Sequence, residues 1–495
     1  MSRTSSLAEQ KLLGAISFLS RSTEGGRSNH DSPCFSRQNT TVDDDDAFSQ
    51  LQALDSSTDN ASFNVTLRRR FLYRLAVALH SYGSSASRTE YLIERAAERL
   101  DVKIEMAVFP SLILLSFLSE DDESRNDVHL VTVESDLDAD KLGRADELAN
   151  CVGKHDTQLL AAYWKLRVIA MSHSRFEYWH WRLLSFALSA STAALLFFSG
   201  SLWDAVISFI LGLVVGVLDT LSKKSHILAN LNEFTSALVV SLLARIVRVH
   251  LAWIEVCFSN IALSSLVQLL PGMALTLGVS DMVAKSHVMG TSRIIHAFFS
   301  ALQLGFGLSM GDRLVWWAQD RSLEPETCEV SSLSFWWDIL WFIGYTISSS
   351  ILLNARLKQW PGMALASGVG YIVSSFTGQK LGSNGSSVLA ALAVGVTGTS
   401  YSYFTGDLPL IMNLAGILLL VPGGLGVQGI TAMLQDDVLS GMGFVFKMLV
   451  IGLSITIGLL LAKVVFPASL FGHGRRSAKD KSTLAAEFEE EDMAI

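Results

Sequence analysis

LLPGMALTLGVSDMVAKSHVMGTSRIIHAFFSALQLGFGLSMGD, residues 269–312, is apolar over most of its length and yet carries Pro271-Gly272 near its start. Proline removes a backbone donor and its ring blocks the carbonyl four residues earlier; the glycine beside it lets the chain turn, so a helix opens there. In hydrocarbon an unpaired backbone group costs about 4 kcal/mol or more, and irregular backbone survives only where protein or a wet cavity satisfies it. Two further Pro-Gly pairs lie in hydrophobic segments, Pro361-Gly362 and Pro422-Gly423, the latter in LLLVPGGLGVQG (418–429). Broken helices at membrane depth line solute pathways.

Outward from this stretch, apolar runs of helix-spanning length follow one another from 181 to 467. At roughly 20 residues per crossing, they divide into about ten spans. The boundaries fall at 182–200, 203–221, 233–251, 254–279, 291–311, 334–354, 360–377, 386–404, 408–434 and 442–466. The charged fraction of 17% is low for a soluble protein, and most of the acidic residues precede 181. Lys and Arg of the short loops collect on one side: Arg167, Arg175 and Arg182; Lys223 and Lys224; Lys285; Arg356 and Lys358; and Arg475, Arg476, Lys479 and Lys481. Arg313 and Lys380 are minor exceptions. By the positive-inside rule that side is cytosolic, with both termini there. Five spans per half imply two repeats inverted relative to one another. Pro271 and Pro422 fall in equivalent fourth and ninth spans. PGMALTLGV (271–279) and PGMALASGV (361–369) do not align under that scheme, and their likeness reads as convergent small-residue packing.

The remaining sequence divides at composition shifts. Residues 1–65, with the acid run Asp43 to Asp46, have no sustained hydrophobic period and read as a disordered tail. Residues 66–180 carry two amphipathic helical patterns (Phe71, Leu72, Leu75, Leu79; then Tyr91, Leu92, Ala96, Leu100). β-rich segments follow at 102–109, 111–118 and 129–134, and helical periods at 138–152 and 158–172. This predicts a cytosolic α/β domain with its own core. The first helical half then covers 181–311, a non-cytosolic acidic loop 312–333, the second half 334–467 and a charged cytosolic tail 468–495. Leu12 to Leu19 is too short and interrupted for a secretory signal, and Glu9 and Glu24 count against a transit peptide. Cys34, Cys151, Cys257 and Cys328 show neither metal spacing nor a disulfide framework.

The net charge of −9 and the lack of a basic stripe with interleaved aromatics argue against nucleic acid as a partner. His80, Glu90, Glu94, Asp101 and Glu105 form no nucleophile elbow, zinc spacing or phosphate loop, so no catalytic, metal or cofactor site is expected. The pathway candidates are Pro271, Gly272, Pro422 and Gly423 at the breaks, Asp281 with Arg293, and Arg245. Asp281 and Arg293 either pair, hold the carboxylate and amine of a substrate, or snorkel to the interface. Arg245 lies inside the third span, where an arginine costs up to about 3 kcal/mol unless a pathway or headgroups receive it; Lys447 poses the same question.

ALHSYGSSASRTEYLIERAAERLDVKIEMAVFPSLILLSF, VESDLDADKL, LLPGMALTLGVSDM with GTSR, and LLLVPGG, in that order, resemble the threonine/serine exporter family, and within it the eukaryotic, fungal-type branch. The resemblance covers about residues 66–467. It implies a cytosolic N-terminal domain, ten spans in two five-span halves, and export of small hydroxy amino acids or, in two-polypeptide bacterial relatives, dicarboxylates such as succinate. Its partners are then a small-molecule substrate and the lipid bilayer of a plasma or vacuolar membrane, with proton coupling and homo-oligomerisation left open. A non-transporting interaction role is the alternative. The chain departs from the family at Ser85 and Ser87, where members carry Pro and His, and at Thr399 and Tyr403, where they tend to show Asn and Arg; it keeps Gly83, Arg88 and Glu90.

Overall fold

The computed structural model describes residues 60–118, 127–133, 135–152, 156–176, 178–198, 200–250, 256–319, 335–421 and 438–465. The tail at 1–59, the acidic loop residues 320–334, Pro422, Gly423 and the C-terminal tail lie outside these residues.

The N-terminal unit begins with α1 (Asn60–Ser81) and α2 (Ala86–Arg99). Between them Gly83 takes φ +88°, and a Cβ there would strike Leu137, so only glycine fits this turn. Strands β1 (Ile104–Phe109), β2 (Leu112–Phe117) and β3 (Asp127–Thr132) form one antiparallel sheet in that order. Ile104 pairs with Phe117 across the β1–β2 turn, and Phe117 with Asp127 on β3. Two helices follow, α3 (Ala139–Cys151) and α4 (Asp156–Met171). Asp138 starts α3 by accepting the Lys141 amide at 3.0 Å.

The helical body comprises α5 (Trp179–Leu196), α6 (Leu202–Ser222), the short α7 (His226–Asn230), α8 (Asn232–His250), α9 (Phe258–Ser265), α10 (Gly272–Val283) and α11 (His287–Gln319). It continues through α12 (Phe335–Leu352), α13 (Trp360–Thr405), α14 (Pro409–Leu420) and α15 (Val438–Val465). Three stretches among the described residues are long and apolar enough to cross a membrane: Leu202–Ser222, His287–Trp317 and Phe446–Val465. Glycines let neighbouring helices approach closely, the packing mode expected in lipid. A Cβ at Gly212 of α6 would lie 2.7 Å from the Phe186 carbonyl of α5. Gly307 and Gly311 of α11 sit likewise against Phe234 and Ser241 of α8, and Gly458 of α15 against Val388 of α13.

Several expectations change. Pro361 does not break a helix: it lies in the first turn of α13, where its missing N–H costs nothing because the first amides of a helix have no intrahelical partner. The two stretches expected at 360–377 and 386–404 are, by contrast, separate helical segments of α13: at Gly382 (φ 69°, ψ 178°) the chain doubles back, and Ser386 Oγ donates to the Ser374 carbonyl at 3.0 Å across the turn. The span expected at 291–311 is the longer α11, and the one at 254–279 runs on to Val283. Cys151 and Cys257, given no role above, are each engaged in a disulfide, and neither is a free thiol.

The core of the α/β unit is continuous with the helical body. One buried cluster contains Phe71, Leu75, Ile93, Leu115 and Leu142 and continues without a gap into Leu353, Met363, Val394, Ile411 and Met412 of the helical body. Gly143 of α3 lies against Ile411 and Gln359. The Ala139 amide donates to the Leu353 carbonyl at 2.9 Å, and Asp140 accepts from both Arg144 and Arg356.

Candidate functional site: a broken helix and a helix end meeting on one face

The fourth hydrophobic stretch is broken as its sequence predicts. Helix α9 ends at Ser265, residues 266–271 form turns, and α10 starts at Gly272 with Pro271 at its N-cap and no side-chain cap. The break is held by Gln268. Its Nε2 donates to the Ser185 carbonyl (2.9 Å), the Ser185 hydroxyl (2.9 Å) and the Ser348 hydroxyl (3.3 Å). Ser185 Oγ donates to the Ser348 carbonyl at 3.1 Å, and Ser348 Oγ returns the bond to the Ser185 carbonyl at 2.8 Å. A carbonyl only accepts, so the amide nitrogen must face Ser185 and Oε1 must point away. That Oε1 is buried and has no hydrogen-bond partner in the described structure. A buried unpaired acceptor costs about 1–3 kcal/mol, a cost a donor-bearing solute would offset.

Helix α14 ends at Leu420, with Val421 at its C-cap and Pro422 next in the sequence. The Leu418 carbonyl belongs to its last turn, where no intrahelical amide can reach it. The Tyr345 hydroxyl donates to it at 3.3 Å. Tyr345 is buried and packs edge-on against Phe197 at 5.0 Å between centroids. Tyr345 and Ser348 are three residues apart on α12, so they share one face one turn apart. The α9–α10 break and the end of α14 are therefore anchored to the same face of the same helix. Sequence reasoning missed all four anchoring side chains. The available signals were an amide, Gln268, three residues before the proline of an apolar run, and the serine run 348–350 inside another.

The charged candidates sit elsewhere and are already paired. Arg245 Nε meets Asp312 Oδ1 at 2.5 Å, with both side chains about one-tenth exposed. Its guanidinium stacks on Phe258 (4.0 Å) and faces Trp316 (5.3 Å). This pins α8, α9 and α11 together rather than presenting a free cation. Arg293 binds Asp281 at 2.6 Å, closing the end of α10 onto α11. Near this pair lies His80 of α1, fully buried, its Nε2 within 3.3 Å of the Pro110 carbonyl. Burial holds the His80 imidazole below its ordinary pKa, and the nearby Arg293 charge pushes the same way.

Two family profiles match the chain: one described as threonine/serine exporter over residues 70–315, and a second, threonine/serine exporter ThrE, over residues 338–465. This chain belongs to the threonine/serine exporter family. Among its relatives is pheromone-regulated membrane protein 10 of Saccharomyces cerevisiae, 28% identical over 435 residues, covering 82% of this chain and 54% of the relative. The protein of that name from Eremothecium gossypii is 27% identical over 361 residues, 72% of this chain and 48% of the relative. An uncharacterized protein of Schizosaccharomyces pombe is 28% identical over 372 residues, 74% and 49% respectively. The chain spans about half the length of these curated relatives. No solved structure matches it. Membership and the names of the relatives make the helical body that of a membrane protein, and the two profiles cover residues 70–315 and 338–465.

Proposed function

We propose that this protein is a secondary transporter exporting a small carboxylate-bearing metabolite, threonine- or serine-type amino acids foremost, through a site at the two helix breaks. The observation that carries the reading is the convergence of the α9–α10 break and the end of α14 on the Tyr345–Ser348 face of α12, with the unpartnered Gln268 Oε1 three residues before Pro271. Amides at the start of α10 carry no side-chain cap, and such amides suit a carboxylate. Gln268 Oε1 suits the ammonium or hydroxyl of the same solute. The side chains hydrogen-bonded at the breaks (Gln268, Ser185, Ser348, Tyr345) are all neutral, and Arg245 and Arg293 are paired to acids. That chemistry favours a zwitterion over a dicarboxylate, whose second negative charge would call for a free cation.

The helices are read as ten spans in two inverted halves with the α/β unit and both termini cytosolic. Two observations support the inverted halves. Ser185, early in α5, bonds Ser348, late in α12, while Leu195, late in α5, packs with Trp341, early in α12, so these two helices run antiparallel. The third and fifth spans (α8, α11) join through glycines, as do the eighth and tenth (α13, α15).

Efflux from vesicles carrying the purified protein, measured for threonine, serine, other amino acids and succinate, tests the proposal. Gln268→Leu should slow threonine efflux about tenfold, the equivalent of one lost hydrogen bond of ~1.4 kcal/mol. Gly272→Leu and Gly423→Leu should abolish efflux in folded protein, whereas Lys223→Ala should matter little. Succinate moving faster than every amino acid, or unchanged flux in Gln268→Leu, would overturn the site as drawn.

A further inference from the structure

The α/β unit touches the two helical halves very differently. Toward the second half it has a continuous apolar core, the Ala139–Leu353 backbone bond and the Asp140–Arg356 ion pair. Toward the first half the buried contact is smaller: Met273 and Leu277 of α10 lie against the edge of the shared core, and beyond them there is a separate apolar seam. Ala86 of α2, Val108 of β1 and Met289 of α11 form a separate buried cluster, with Met106 against it. His80 lies near the Arg293–Asp281 pair beside that seam. The seam's partner is itself rigid: a Cβ at Gly290 of α11 would lie 2.7 Å from the Gly278 carbonyl and 2.5 Å from Met282, both on α10. The α10–α11 hairpin therefore moves as one piece, and the far end of α10 is Gly272 at the break.

We propose that the α/β unit travels with the second helical half, and that its seam with the α10–α11 hairpin is the gate of the pathway on that side of the membrane. The inference rests on the transport reading above. Parting a seam of a few side chains costs far less than splitting a continuous core, so the seam is where the α/β unit parts from the α10–α11 hairpin, which keeps its own buried contact with Met448 of α15. Opening it swings the hairpin and shifts the start of α10, which couples access from the domain side to the geometry of the break. A closed seam seals the same route by burying Met289.

Two cysteine pairs test this, each compared with the unmodified protein under the same oxidant and reductant. Cross-linking Val108→Cys to Met289→Cys should cut efflux about tenfold or more, with recovery on reduction proving that the protein stays folded. Cross-linking Gly143→Cys to Ile411→Cys, within the continuous core, should leave efflux within about twofold. Unchanged efflux with the seam locked, or loss of efflux with the core locked, overturns the proposal. A second readout does not depend on transport. Met289 and Ile411 are both buried, yet a bulky maleimide should modify Met289→Cys at least about tenfold faster than Ile411→Cys, because only the seam opens. Equal rates overturn the gate. If the unmodified protein moves none of the solutes, the transport reading fails and the maleimide rates alone decide whether the seam parts.

Discussion

At the scale of single residues, Arg245 shows how a charge inside an apolar run is satisfied. Its partner Asp312 is 67 positions away, and the aromatic face of Phe258 replaces part of the water the guanidinium gives up. Arg245→Ala should strand Asp312 as an uncompensated buried charge and destabilise the fold by about 3–5 kcal/mol. The double variant Arg245→Met with Asp312→Leu should recover most of that loss. Thermal unfolding in detergent checks both; equal instability of the single and double variants would contradict the pairing. His80 gives the pH counterpart. A buried imidazole whose folded pKa lies below its ordinary 6.5 stays neutral in the fold while the unfolded chain takes up a proton. Above that value this group contributes no pH dependence; as pH falls through it toward the lowered folded value, stability is lost. The melting temperature should therefore drop between pH 7.5 and pH 5.5 more steeply for the unaltered protein than for His80→Gln, and identical slopes would count against it.

At the scale of elements, identical Pro-Gly dipeptides do different work. Pro271 separates α9 from α10, whereas Pro361 begins α13. Pro361→Ala should change stability by under about 1 kcal/mol and leave efflux intact. Pro271→Ala restores a backbone donor and allows helix to extend into 266–271, pulling Gln268 from Ser185 and Ser348, so efflux should fall while the protein still inserts. Vesicle flux beside circular dichroism distinguishes the two: loss of flux in Pro361→Ala with none in Pro271→Ala would reverse the assignment. The same local reasoning read the strands at 104–109 and 112–117 to within two residues, because alternation and turn chemistry are short-range signals. It could not tell a helix-starting proline from a helix-breaking one, since that depends on where the preceding chain comes from.

At the scale of the whole molecule, the α/β unit and the second helical half share one core, so they should melt together. Calorimetry should show the N-terminal unit without a transition of its own, and a fragment ending near residue 176 should be poorly soluble because it exposes the face that covers Met363 and Ile411. A separate, reversible transition of that fragment would contradict the shared core.

The sequence alone determined what local forces decide. Apolar run lengths mark the membrane helices, a missing N–H at Pro271 marks a break, and alternation marks the strands, since each depends only on neighbours along the chain. Tertiary structure alone decided which polar groups answer one another. Gln268, Ser185 and Ser348 come from three distant segments, as do Arg245, Asp312 and Phe258. A serine or an arginine in an apolar run has the same sequence signature whether it is clamped, orphaned or open to a solute. Only packing sets the distance to its partner, and a polar contact at low dielectric gains or loses its energy within an ångström or so of that distance.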